Sequence, residues 1–88
     1  MYFNKGNIYF NIEEYDLAIK MYNKTIQFNP DDFRVYVNKG IVLGILKKYN
    51  LALKAFDAAL KLNINDYKAH LNKGLTLEKL GKYDLSLE

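Results

Sequence analysis

Apolar residues fall in a helical rhythm along the chain. Val35, Tyr36, Leu43 and Leu46 lie at spacings that put them on one stripe, which predicts a helix from about Asp32 to Leu46. After a polar break, Leu53, Phe56 and Leu60 interleave with the small residues Ala52, Ala55 and Ala59 at steps of three and four. This predicts a second helix from about Asn50 to Leu62. Asp16, Asn50 and Asp84 are placed to open the second helix of each pair, where a side-chain oxygen can accept from a free first-turn amide, worth ~1 kcal/mol. Asn29-Pro30-Asp31-Asp32 closes one pair, because proline cannot continue a helix and aspartate suits the start of the next. No alternation of apolar and polar residues suggests a strand, so the fold class is all-α.

The pattern is periodic. Asn4-Lys5-Gly6, Asn38-Lys39-Gly40 and Asn72-Lys73-Gly74 stand 34 residues apart, and Tyr15, Tyr49 and Tyr83 keep the same offset. So do Leu17, Leu51 and Leu85, and Ala18, Ala52 and Ser86. At this offset 19 of 54 residue pairs are identical, against about 5 expected by chance, so the period is real. The units are residues 1–32, 33–66 and a partial 67–88. Gly6, Gly40 and Gly74 sit mid-helix, where glycine costs ~1 kcal/mol against alanine. A cost repeated in each unit implies a gain: a bulky residue of the second helix, Tyr22 or Phe56, lies over the bare backbone.

A helix–turn–helix unit of this length resembles the tetratricopeptide repeat (TPR). The aromatic slot of that pattern holds Tyr2, Tyr36 and His70, and the glycine slot is filled in all three units. The next tyrosine slot holds Tyr9, Leu43 and Leu77, the alanine slot Ala18, Ala52 and Ser86, the phenylalanine slot Tyr22 and Phe56, and the proline slot Pro30 and Ile64. The leucine before the glycine is replaced by Lys5, Lys39 and Lys73, a recurrent departure that looks like a sub-family variant. The resemblance implies an α-solenoid of antiparallel helix pairs in a right-handed superhelix. It also implies a non-catalytic protein–protein interaction scaffold whose concave face receives a peptide or a partner helix.

Carried over position by position, the concave face holds Phe3, Asn4, Asn7, Phe10 and Asn11 from the first unit. The second contributes Arg34, Val37, Asn38, Ile41 and Ile45, and the third Lys68, Leu71, Asn72, Leu75, Glu78 and Lys79. Phe3, Phe10, Val37, Ile41, Ile45, Leu71 and Leu75 make an apolar stripe, and the asparagines a polar ladder beside it. Joint exposure of Phe3, Ile41, Ile45 and Leu75 would mark a binding groove rather than packing. Some TPR co-chaperones clamp a C-terminal carboxylate at five positions that hold Phe3, Asn7, Asn38, Lys68 and Asn72 here. Asn7, Asn38 and Lys68 match, whereas Phe3 and Asn72 lack the charge that a carboxylate wants.

Composition narrows the chemistry. The chain has no cysteine, one histidine and one serine, which leaves little from which to build a catalytic triad or a metal site. No cofactor, metal or catalytic residue is expected. His70 fills an aromatic slot and reads as a packed or hydrogen-bonded ring. The net charge is +3, with Arg34 the sole arginine and the lysines scattered. That speaks against a dedicated nucleic-acid surface, although an RNA-binding helical repeat is the alternative reading. The longest apolar run, Ile41–Leu46, is too short to span a bilayer, and no secretory signal is visible. A cytoplasmic location without membrane association is therefore expected. Glu13, Glu14, Lys47 and Lys48 fall in solvated turns. The chain stops soon after a sixth helix is due, so Leu77, Leu80, Leu85 and Leu87 would lack a covering unit. The expectation is a fragment of a longer array, or a homo-oligomer formed through uncapped ends or exchanged helices.

Overall fold

The computed structural model describes residues 2–86, with side chains through residue 81. Five helices follow one another: α1 (Tyr2–Asn11), α2 (Tyr15–Phe28), α3 (Phe33–Ile45), α4 (Tyr49–Leu62) and α5 (Tyr67–Ser86). There is no strand among the described residues. Each helix packs on the next in sequence, and α3 also packs on α5, so the pairs nest in order along a body of 45 × 28 × 18 Å. This is an all-α helical-repeat solenoid. No helix among the described residues is long and apolar enough to cross a membrane.

The glycine expectation holds in two units. Gly6 and Gly40 are buried. A Cβ added at Gly6 would lie 2.5 Å from Cε1 of Tyr22, and one at Gly40 2.5 Å from Cε1 of Phe56. Each ring therefore rests on bare backbone, and both rings are among the most deeply buried side chains of the chain. Fully burying a side chain of this size contributes roughly 1.5–3 kcal/mol, more than glycine's helix penalty of ~1 kcal/mol. Gly74 differs, with open space where its Cβ would be. The residue 34 positions beyond Phe56 would be number 90, past the last residue of the sequence. Ala18, Ala52, Ala55 and Ala59 let neighbouring backbones approach at the helix interfaces and are themselves buried.

The helix starts correct one expectation. Asp16 and Asn50 are not caps: α2 and α4 begin one residue earlier, at Tyr15 and Tyr49, and Glu14 and Lys48 precede them without a side-chain capping bond. The tight turn before each helix is closed by the backbone instead. Glu13 donates to the Phe10 carbonyl (3.0 Å) and Glu14 to that of Tyr9 (2.8 Å). In the second unit Lys47 donates to Gly44 (3.0 Å) and Lys48 to Leu43 (2.8 Å). These paired bonds form a Schellman turn, which requires a left-handed residue, and Glu13 and Lys47 both have φ of 64°. Aspartate does cap the first-type helices. Asp32 Oδ1 accepts from the Arg34 amide (3.1 Å), and Asp66 Oδ2 from the Ala69 amide (2.9 Å).

Gly81 stands where Glu13 and Lys47 turn the chain. No glycine has a positive φ among the described residues, and α5 runs on to Ser86. A sixth helix opening at Asp84 is thus replaced by a continuation of α5. Leu77 is exposed and Leu80 half-buried. The side chains of Tyr83, Asp84, Leu85 and Ser86, and the whole of Leu87, lie outside what is described.

Candidate functional site: the concave face

Side chains of α1, α3 and α5, the helices expected to form the concave face, line three shallow hollows, with α2 and α4 contributing to two of them. The central one, of about 200 Å³, joins all three first-type helices: Phe3 from α1, Arg34, Val37 and Asn38 from α3, and Lys68 from α5. Phe33 and Asp66 complete it. A second hollow, of about 170 Å³, lies further along and is lined by Ile41, Ile45, Asn72, Leu75 and Lys79, with Tyr49 and Thr76 at its back. A third, of about 360 Å³, brings Asn4 together with Phe3, Phe28 and Arg34. Asn7, Phe10, Asn11, Leu71 and Glu78 fall outside these hollows. Phe10 packs edge-on against Tyr15 with ring centroids 6.2 Å apart.

Within the apolar stripe, Ile45, Leu71 and Leu75 are exposed, whereas Phe3 and Ile41 are half-buried. Val37, 3% exposed, belongs mainly to the core with Ala59, Leu60 and Ala69. The asparagines do not form a continuous ladder. Asn7 Oδ1 accepts from Tyr22 Oη (2.6 Å) and from Asn38 Nδ2 (3.0 Å), tying α1 to both α2 and α3. Both bonds fall on the carboxamide oxygen, which leaves the amide N–H groups as the donors Asn7 can offer a ligand. Burial pushes the Tyr22 hydroxyl up to about 12, with the Asn38 amide opposing the shift. Asn72 donates back to the Lys68 carbonyl of its own helix (2.8 Å).

The charges are partly spent inside the chain. Arg34 grips Asp32 with two bonds, Nε to Oδ1 (3.0 Å) and Nη2 to Oδ2 (2.7 Å). Those bonds hold the Asp32 carboxyl below the usual carboxylate range and raise the guanidinium. The Arg34 guanidinium carbon also stands 5.3 Å from the centre of the Phe3 ring. Lys68 is therefore the cation of the central hollow without an ion pair among the described residues, and Asp66 lines the hollow with it. Phe33, Asp66, Tyr49 and Thr76 were not among the expected groove residues. The 34-residue offset from Asp32 points to Asp66, and nothing in the pattern points to the other three.

His70 behaves as its slot predicts. Tyr36 Oη donates to the Pro30 carbonyl (3.1 Å), and His70 Nε2 contacts the Ile64 carbonyl six residues back in the same way (2.6 Å). A carbonyl only accepts, so that ring nitrogen carries its hydrogen.

Sequence profiles of the tetratricopeptide repeat match residues 1–32, 33–66 and 55–88. The chain belongs to the tetratricopeptide repeat family. Solved structures, TPR domains among them, superpose closely on it. The first TPR of Spaghetti (RPAP3), bound to the HSP90 peptide SRMEEVD, is 30% identical, with a TM-score of 0.89 over 94% of this chain and 66% of that one. The TPR2B domain of yeast Sti1, in its pHsp70 complex, is 26% identical, with a TM-score of 0.84 over 93% of this chain and 66% of that one. MamA of AMB-1 is 30% identical, with a TM-score of 0.81 over 93% of this chain; the chain spans 45% of MamA's length. A comparison with curated protein sequences gives no match.

Proposed function

We propose that this TPR chain is a non-catalytic protein-interaction scaffold that binds a peptide or a helix of a partner protein on the face made by α1, α3 and α5. The observation that carries the reading is the central hollow. Three helices from three successive units give it an aromatic wall (Phe3), an amide (Asn38) and a cation (Lys68). Exposed Ile45 and Leu75 extend it along the solenoid. The peptide complexes of the Spaghetti and Sti1 domains support a partner of this kind.

Of the five carboxylate-clamp positions, Lys68 alone brings a positive charge, so apolar contact is assigned the larger share of the affinity. The alternative of an RNA-binding repeat has only scattered lysines behind it, with Arg34 held by Asp32.

The test is to select peptides from a phage-displayed twelve-residue library on the intact chain and measure their binding by fluorescence anisotropy. Lys68→Ala and Leu75→Asp are each expected to weaken binding about tenfold or more, with the helical circular dichroism signal unchanged. Selected peptides that bind both variants as tightly as the parent would overturn the assignment.

A further inference from the structure

The lysine that replaces leucine in each unit is not used by the concave face. Lys39 and Lys73 instead line two outer grooves related by the repeat. The first, of about 460 Å³, opens between α2 and α4 with α3 as its floor, and shares no lining residue with the concave hollows. It holds Asn23, Tyr36 and Lys39. The second groove holds the residues 34 positions further on: Asp57, His70 and Lys73.

The two grooves differ in one charge. In the second, Lys73 Nζ is paired with Asp57 Oδ1 at 2.7 Å. In the first, Asn23 stands where Asp57 would be, and Lys39 has no ion pair among the described residues. Lys39 is half-buried, and desolvation lowers its amine below the ordinary lysine value with no carboxylate to offset it. Lys48 and Lys54 line the same groove against a single carboxylate, Asp16, and Ile19, Leu43 and Leu51 give it an apolar floor.

We propose that this outer groove docks an acidic amphipathic segment of a partner protein. One of its carboxylates would take the place beside Lys39 that Asp57 takes beside Lys73, while its apolar side chains lie on Leu51 and Ile19. Lys48 and Lys54 draw further acidic side chains to the rim. The apolar floor and the absence of arginine from the lining favour an acidic peptide over a nucleic-acid backbone.

The experiment uses the intact chain and a labelled sixteen-residue synthetic helix, with leucines on one face and glutamates on the other, beside a twin carrying glutamine for glutamate. The glutamate peptide is expected to bind, and the glutamine twin about tenfold more weakly or worse. Lys39→Met is expected to weaken binding about tenfold, and Asn23→Asp, which supplies the carboxylate internally, by a similar factor. Lys68→Ala, on the concave face, leaves it unchanged. Circular dichroism melts verify that each variant is folded. Absence of binding, equal binding of the glutamine twin, or full affinity in Asn23→Asp overturns the proposal. A single-stranded RNA that binds as tightly with the same dependence on Lys39 overturns it in favour of phosphate recognition. Self-association lost in Asn23→Asp, read by sedimentation, overturns it in favour of a second copy of this chain.

Discussion

The hydroxyl of Tyr22 meets the carboxamide oxygen of Asn7 at 2.6 Å, where the next unit sets Phe56 among residues that pack with Ile41. Tyr22 corresponds to Phe56 and Asn7 to Ile41 under the 34-residue offset. Each unit is therefore self-consistent: a hydroxyl faces an acceptor, or an apolar ring faces an apolar side chain. Mixed pairs break this match. Asn7→Ile leaves the buried Tyr22 hydroxyl without its acceptor, at a cost of about 1–3 kcal/mol. Tyr22→Phe costs less, because Asn7 Oδ1 keeps its bond from Asn38. The double variant copies the second unit and is expected to recover about 1 kcal/mol or more relative to the sum of the single changes. Urea unfolding of the four proteins measures this coupling, and strict additivity would contradict it.

The same hydroxyl makes stability depend on alkaline pH. The folded chain holds the Tyr22 proton up to about 12, whereas the ordinary value is 10.0. Between those values the folded state binds more protons than the unfolded one, so stability falls as pH rises through that window. The contribution is fully present below 10.0 and is lost progressively as pH rises through the window. The difference between parent and Tyr22→Phe, followed by urea midpoints at rising pH, isolates this site. The two curves are expected to converge above pH 10; parallel curves would contradict the assignment.

The helix pairs, their order and the ring-on-glycine contacts were legible because each rests on a residue type repeated in register. Gly6 with Tyr22 and Gly40 with Phe56 state the same steric rule twice. The hollows along α1, α3 and α5 hold many of the residues expected there, such as Phe3, Asn38, Ile41 and Lys68, but the bonding among those residues was not legible. Asn7 reads as one of several asparagines until its departure from Ile41 and Leu75 is set beside the departure of Tyr22 from Phe56. The error at Asp16 and Asn50 has a different origin. A polar residue near a helix start fits either the cap or the first turn, and here the Schellman turn that ends the preceding helix lets α2 and α4 start one residue earlier, which leaves Asp16 and Asn50 inside the first turn. Nothing in residue type announces that turn at Glu13 and Lys47, since neither favours a left-handed backbone.

That turn supplies a prediction in which opposite substitutions at equivalent positions both stabilise. Lys47 adopts φ of 64°, a conformation that costs a residue with a Cβ about 1 kcal/mol and glycine almost nothing. Lys47→Gly is therefore expected to raise stability by up to about 1 kcal/mol. Gly81, its counterpart, lies inside α5 with no positive φ and open space around its missing Cβ. There alanine gains ~1 kcal/mol of helix propensity and meets no neighbour. Gly81→Ala is expected to raise the urea midpoint and to strengthen the helical signal. If the chain instead turned at Gly81 as it does at Lys47, the same substitution would force a Cβ into the left-handed region and lower the midpoint. The sign of that shift therefore decides between a straight α5 and a third turn of the kind made by Glu13 and Lys47.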